Sequence, residues 1–220
     1  MYIIVGGLAT TKEYYNKLKI HLGGNLKVFE LRNIVNHVDS LTMYLNAQRH
    51  PYILIAFSLG CVLVMKSLQF VKNSPSKIVL INPSNIVIDT CVNQRPYEWF
   101  WRLPKIIQNM VLYQYNRTVS KRLEEPPYLM SYIISKPFEH WNGIVTDINR
   151  NFSWVESVNN IRHKSNRIHI ISGKNDRYHK FAMLLQDMYP ETFSLKVVPG
   201  QHHIIYNDFE SIAYSIRTLV

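Results

Sequence analysis

Short runs of branched apolar residues, each followed by a segment with helical spacing, set the rhythm of this chain. Tyr2-Ile-Ile-Val5, Ile53-Leu-Ile55 and Lys77-Ile-Val-Leu-Ile81 are nearly continuous in apolar character, and Arg167-Ile-His-Ile-Ile-Ser172 also reads as a strand. Such runs suit strands that are covered on both faces. Leu26-Lys-Val-Phe-Glu-Leu31 alternates and predicts a further strand, and Phe193-Ser-Leu-Lys-Val-Val198 predicts the last one. Between them the spacing predicts helices. One carries Tyr14, Tyr15, Leu18 and Leu22 and ends at Gly23-Gly24; the next runs from His37 to Leu45. Others run from Leu59 to about Val71, from Phe181 to Met188 and from Asp208 to Leu219. Strands alternating with helices imply an α/β fold, a mostly parallel central sheet with right-handed crossovers.

The rhythm breaks between residues 89 and 167. All four tryptophans (Trp99, Trp101, Trp141, Trp154) fall there, and Pro96, Pro104, Pro126, Pro127 and Pro137 divide the segment into short helical pieces. Ile106, Ile107, Met110 and Val111 mark one amphipathic helix. The segment is too long and too apolar for a plain loop. It is expected to be an inserted helical cap, with residues 1–88 and 168–220 forming the core.

At 220 residues and 47% apolar content, one domain with a sizeable core is expected. The two cysteines, Cys61 and Cys91, have no metal-binding or redox spacing, which fits a reducing compartment. The first residues lack the charged leader of a signal peptide, and no run reaches the roughly 20 apolar residues of a membrane span. A cytoplasmic protein with no transmembrane segment is the expectation. The net charge of +10 favours anionic partners. However, its Lys and Arg residues are spread along the chain beside no nucleic-acid-binding motif, so nucleic acid is not expected.

The chemistry centres on Ala56-Phe-Ser-Leu-Gly60, which follows an apolar strand and opens a helix. It matches the G-x-S-x-G nucleophile elbow with alanine in first place; the turn is strained, so its flanking positions must be small. Asp176 follows the Ile168 strand and His202 or His203 follows the Phe193 strand, giving the order serine, acid, histidine. Loops at the carboxyl ends of parallel strands are where such groups converge. Serine needs a base to take its proton, and the acid holds that base in the useful tautomer. The oxyanion donors expected are the N–H of Leu59 and, from Gly6-Gly7-Leu8, that of Leu8. Asp89 is an alternative acid, whereas Asp208 more simply caps the last helix. His140 and Trp141, with Trp99 and Trp101, are candidates to line a pocket under the cap. The remaining histidines lack metal-ligand spacing, and no metal or cofactor is expected.

Taken together, the chain resembles the α/β-hydrolases with a cap inserted after the fourth strand. Gly173-Lys-Asn-Asp176 is similar to the family's acid turn, and Pro199-Gly-Gln-His-His203 to its histidine turn. Counting back from Asn207-Asp-Phe-Glu210 favours His202 as base; counting forward from Pro199-Gly200 favours His203. His202 is the first choice. The family's His-Gly-x loop is represented by Gly6-Gly7-Leu8, without the histidine. Within the family, a capped aromatic pocket on a basic protein resembles the pimeloyl-acyl-carrier-protein methyl ester esterases of biotin synthesis. That resemblance implies a serine carboxylic-ester hydrolase acting on an apolar acyl ester borne by an acidic acyl carrier protein. Arg102, Lys105, Arg117, Lys121 and Arg122 are then the candidates for carrier binding. The alternatives are an acyl thioesterase, a short-chain lipase or carboxylesterase, and a non-catalytic acyl or protein binder on the same scaffold.

Overall fold

The computed structural model describes residues 1–31, 36–85, 100, 102–115, 117–118, 126, 129–136, 138–161 and 167–219. Six strands form one parallel sheet: β1 (Tyr2–Val5), β2 (Leu26–Phe29), β3 (Ile53–Phe57), β4 (Lys77–Ile81), β5 (Ile168–Gly173) and β6 (Phe193–Val198). Their spatial order is β2-β1-β3-β4-β5-β6, and every neighbouring pair is parallel. The order reverses direction at β1, so a crevice is expected between the carboxyl ends of β1 and β3.

Each strand feeds two cores because its side chains alternate between faces. On one face lie Ile3, Val5, Leu54, Ala56, Ile78, Leu80, Ile168 and Ile170; on the other lie Ile4, Ile53, Ile55, Phe57, Val79, Ile81 and Ile171. This two-sided burial is why β1, β3 and β4 read as unbroken apolar runs. Helices α1 (Asn16–His21), α9 (Ile204–Asn207) and α10 (Phe209–Thr218) contribute to the second face, after a short 3-10 turn at Lys12–Tyr15. Asp208 accepts a hydrogen bond from the Ser211 N–H and so caps α10.

Helices α2 (His37–Asn46), α3 (Leu59–Leu68) and α8 (His179–Met188) contribute to the first face. Most of α3 is buried, since it sits on the sheet under further helices.

The segment between β4 and β5 holds α4 (Lys105–Tyr115), α5 (Leu129–Ile134), α6 (Phe138–Asn149) and α7 (Trp154–Ile161). Beside α4, Phe100 gathers Leu103, Leu112 and Tyr115, with Ile133 of α5, in a small cluster. Leu129 of α5 joins the main core. Next, α6 packs on α2 and α3, and α7 on α3. Trp141, Ile144, Val145, Ile148, Trp154, Val158 and Ile161 belong to the main core. His37 fastens α2 to α6: its N–H donates to Asp147 Oδ2 at 2.9 Å, and its Nδ1 stands 2.7 Å from the same oxygen. Burial works to raise the Asp147 pKa, but the His37 bonds and nearby Lys66 outweigh it and hold that carboxyl low. Among the described residues, no helix is long and apolar enough to cross a membrane.

Candidate active site

Ser58 stands between β3 and α3 with φ 52° and ψ −120°, a conformation costly for any residue with a side chain. The surroundings hold it there. Ser58 N–H donates to the Ile81 carbonyl at 3.0 Å, and Cys61 N–H donates back to Ser58 O. A Cβ on Gly60 would stand 2.4 Å from the Val5 carbonyl oxygen and 2.5 Å from that of Gly6. Only glycine lets α3 start this close to the end of β1, which is the physical content of the small residue two places after the serine.

Three strand ends deliver one hydrogen-bonded line. Ser58 Oγ lies 2.8 Å from His202 Nε2, and His202 Nδ1 lies 3.1 Å from Asp176 Oδ1. A carboxylate only accepts, so Nδ1 carries the proton, Nε2 has the free lone pair, and the Ser58 hydroxyl donates to it. Asp176 is fully buried at its side chain and also accepts the Tyr178 N–H, at 3.2 Å. Its Oδ2 is buried without a hydrogen-bond partner, so its donors converge on the oxygen facing His202. The imidazole is flanked by Phe57 and by the edge of Tyr178, with ring centroids 5.3 and 5.5 Å away.

His203 points elsewhere: its Nδ1 pairs with the Tyr14 hydroxyl at 2.9 Å. Burial, helped by His202 and Arg177, pushes its pKa down to about 3, so this ring is neutral. Cys61 is buried with its thiol toward the Ile81 carbonyl, and burial pushes its pKa well up, which leaves it inert as a nucleophile.

The loop after β1 is knitted by buried polar groups. Gly6 N–H donates to Phe29 O at 3.0 Å and Gly7 N–H to the Tyr15 hydroxyl at 3.2 Å. The Thr10 hydroxyl donates to Gly7 O at 2.9 Å and lies 2.8 Å from the Tyr15 oxygen. With the Gly6 and Gly7 amides engaged, Leu8 is the next donor in this loop. Across the crevice Leu59 opens α3, where the first N–H groups have no intrahelical acceptor.

Of the pocket candidates, Trp141 lies in the main core with its Nε1 donating to Ile133 O at 2.7 Å, and half-buried His140 stands edge-on to it. Trp99, Trp101 and Asp89 lie outside the described residues, as do Lys121 and Arg122. Arg102, Lys105 and Arg117 are exposed. A surface groove lined by Arg49, His50, Tyr52, Asn73 and Ser76 opens at the amino ends of β3 and β4, the opposite end of the sheet from Ser58.

Pattern reading misses two groups here, Asn82 and the Tyr15–Thr10 pair. Their signals were a lone Asn between a strand and a proline, and a tyrosine with helical spacing just after the β1 loop.

No family model and no curated protein sequence matches the chain. Solved structures do. A carboxylesterase of the thaumarchaeon Nitrososphaera gargenis superposes with a TM-score of 0.71 at 11% identity, covering 99% of this chain and 88% of the other. A thermophilic esterase from Thermogutta terrifontis gives 0.70 at 14% identity, with the same shares covered. The thioesterase domain from the curacin biosynthetic pathway gives 0.64 at 10% identity, covering 98% and 90%.

Proposed function

We propose that this chain, which has the α/β-hydrolase fold, is a serine hydrolase of carboxylic esters with apolar acyl chains. One observation carries the reading: the line from Ser58 through His202 to Asp176, with the serine on a strained elbow at the crevice between β1 and β3. Ser58 Oγ attacks the ester carbonyl while His202 Nε2 takes its proton. The Leu59 and Leu8 amides receive the oxyanion, and Asp176 stabilises the imidazolium. His202 then gives the proton to the departing alkoxide, leaving an acyl-enzyme. Water, activated by the same nitrogen, releases the acid and restores Ser58.

The finer reading is a methyl ester esterase acting on a pimeloyl group borne by an acyl carrier protein, in the cytoplasm, with residues 89–167 as the cap. Two features support an acidic partner. The net charge is +10, and no Asp or Glu occurs between Glu98 and Glu124, a stretch that holds Arg102, Lys105, Arg117, Lys121 and Arg122. Within it, α4 presents Ile106, Met110 and Tyr113 to solvent at 72%, 67% and 66% exposure. An apolar stripe among cations suits a small acidic helical protein. The likeness to a thioesterase domain supports a second reading, in which the acyl group arrives as a thioester.

A panel of methyl esters, p-nitrophenyl esters and thioesters, each free or attached to a carrier protein, separates these readings. The proposal expects carrier-borne methyl esters to be best. It expects Arg102→Glu/Arg117→Glu to raise KM for them and not for p-nitrophenyl esters. Equal effects on both substrate classes contradict the carrier, and hydrolysis of none contradicts the enzyme.

A further inference from the structure

Asn82 sits one residue past β4 with φ 47°, a left-handed conformation that asparagine tolerates better than most residues. It is completely buried, and its side-chain amide bonds in two directions. Its Oδ1 accepts the Gly173 N–H at 2.8 Å, at the root of the turn that carries Asp176. Its Nδ2 donates to the carbonyl of His202 itself at 2.7 Å, and to that of Gln201 at 3.3 Å. Its own N–H extends the ladder to Ile171 O at 2.9 Å. One planar amide therefore spans the acid turn and the histidine turn.

The two turns are pressed together at this point. A Cβ on Gly173 would lie 2.7 Å from Gly200 O and 2.8 Å from Gln201 O, so backbone meets backbone. Lys174 N–H donates to Val198 O and Asn175 N–H to Gly200 O, continuing the seam. Past Gly200 the seam ends, and the next carbonyls, of Gln201 and His202, turn to Asn82 instead. The His202–Asp176 bond is made by side chains on the two turns, and its length follows from how those turns are held. Near-attack geometry is steep: a displacement of about 1 Å from a remote change can cost about a hundredfold in rate.

We propose that Asn82 is a positioning residue for the reaction, an amide clamp that fixes the His202 backbone against the Asp176 turn. The inference rests on the serine hydrolase reading above. Without the clamp the Gly173 N–H and His202 C=O lose buried partners, the histidine turn shifts, and Nε2 no longer meets Ser58 in line.

The test compares Asn82→Gly, which accepts the positive φ and lacks the amide, with Asn82→Asp, which keeps size and the bond from Gly173. The readouts are kcat and KM for a p-nitrophenyl ester per folded site, the rate of Ser58 phosphonylation by a fluorophosphonate, and Tm. Asn82→Gly should lower kcat and the phosphonylation rate by about ten- to a hundredfold, with KM within about twofold. In Asn82→Asp the ionised carboxylate faces the His202 carbonyl, so turnover at the alkaline end of the pH profile should fall likewise. Its rate relative to the wild type should then climb as pH drops, because protonation restores an O–H donor. A lower Tm with wild-type kcat and phosphonylation rate in Asn82→Gly would overturn the proposal and make Asn82 merely structural. Should Asn82→Gly fail to fold, Asn82→Ala, which also lacks the amide, takes its place, and wild-type kcat and phosphonylation rate in that variant would do the same. Absence of phosphonylation in the wild type would instead overturn the serine hydrolase reading, so the two failures are distinguishable.

Discussion

Tyr15→Phe removes one oxygen atom from the loop expected to hold half of the oxyanion site. The ring is fully buried, so the phenyl group keeps the packing and only the hydroxyl's bonds are lost. Gly7 N–H, 3.2 Å from that oxygen, and Thr10 Oγ1, 2.8 Å from it, each lose that partner. A buried group left without its partner costs about 1–3 kcal/mol, and Thr10 still has Gly7 O to bond, so a net loss of about 2 kcal/mol is expected. In a chain of this size 1 kcal/mol corresponds to roughly 2–4 °C, so Tm should fall by about 4–8 °C. Tyr15 also orients the Thr10 hydroxyl that holds Gly7 O, the carbonyl of the Gly7–Leu8 peptide, so with the Gly7 N–H freed as well that peptide can tilt and carry the Leu8 N–H off its target. Losing one oxyanion donor outright costs on the order of a hundredfold, so partial misalignment should lower kcat by about tenfold with little change in KM. Thermal melting by circular dichroism and p-nitrophenyl ester kinetics on titrated active sites measure both quantities. A drop in Tm without a drop in kcat would show that the β1 loop does not contribute a donor. No change in either would refute the role given to this network.

Two further outcomes follow from the histidine pair. His202→Ala should reduce kcat by several orders of magnitude with the fold intact, whereas His203→Ala should act mainly on stability through its lost Tyr14 bond; equal mild losses in both would contradict the assignment. His203 also predicts a pH dependence. Its pKa falls from 6.5 to about 3 on folding, so across that window the unfolded chain binds more protons and stability must decline as pH falls. The urea midpoint of the wild type should therefore drop more steeply with acidification than that of His203→Phe; parallel slopes would contradict a neutral buried His203.

Much of this fold was legible in the sequence because the central strands bury both faces. Ile53 to Phe57 is buried throughout, and that environment leaves an unbroken apolar run as its trace. The elbow was legible for a steric reason, since Gly60 has the Val5 and Gly6 carbonyls against it. The choice between His202 and His203 was only partly legible: counting back from Asn207 favoured His202, and counting forward from Pro199 favoured His203. Both sit on the same turn, and long-range bonds separate them: His202 meets Ser58 and Asp176, whereas His203 meets Tyr14, 189 positions away in the chain. The nature of the 89–167 segment was half legible: its apolar content signalled packing, but not that α6 and α7 pack on α2 and α3. Asn82 left almost no trace, because a polar residue after a strand looks like any turn until its two partners are seen.

A Ser58 nucleophile activated by His202 must react with a serine-directed phosphonylating reagent. Intact-protein and peptide mass spectrometry after treatment with a fluorophosphonate tests it most directly. One covalent adduct on Ser58 is expected, lost in Ser58→Ala and strongly slowed in His202→Ala. A folded wild-type protein with no adduct on Ser58, or with an adduct that persists at the same rate in His202→Ala, would contradict it.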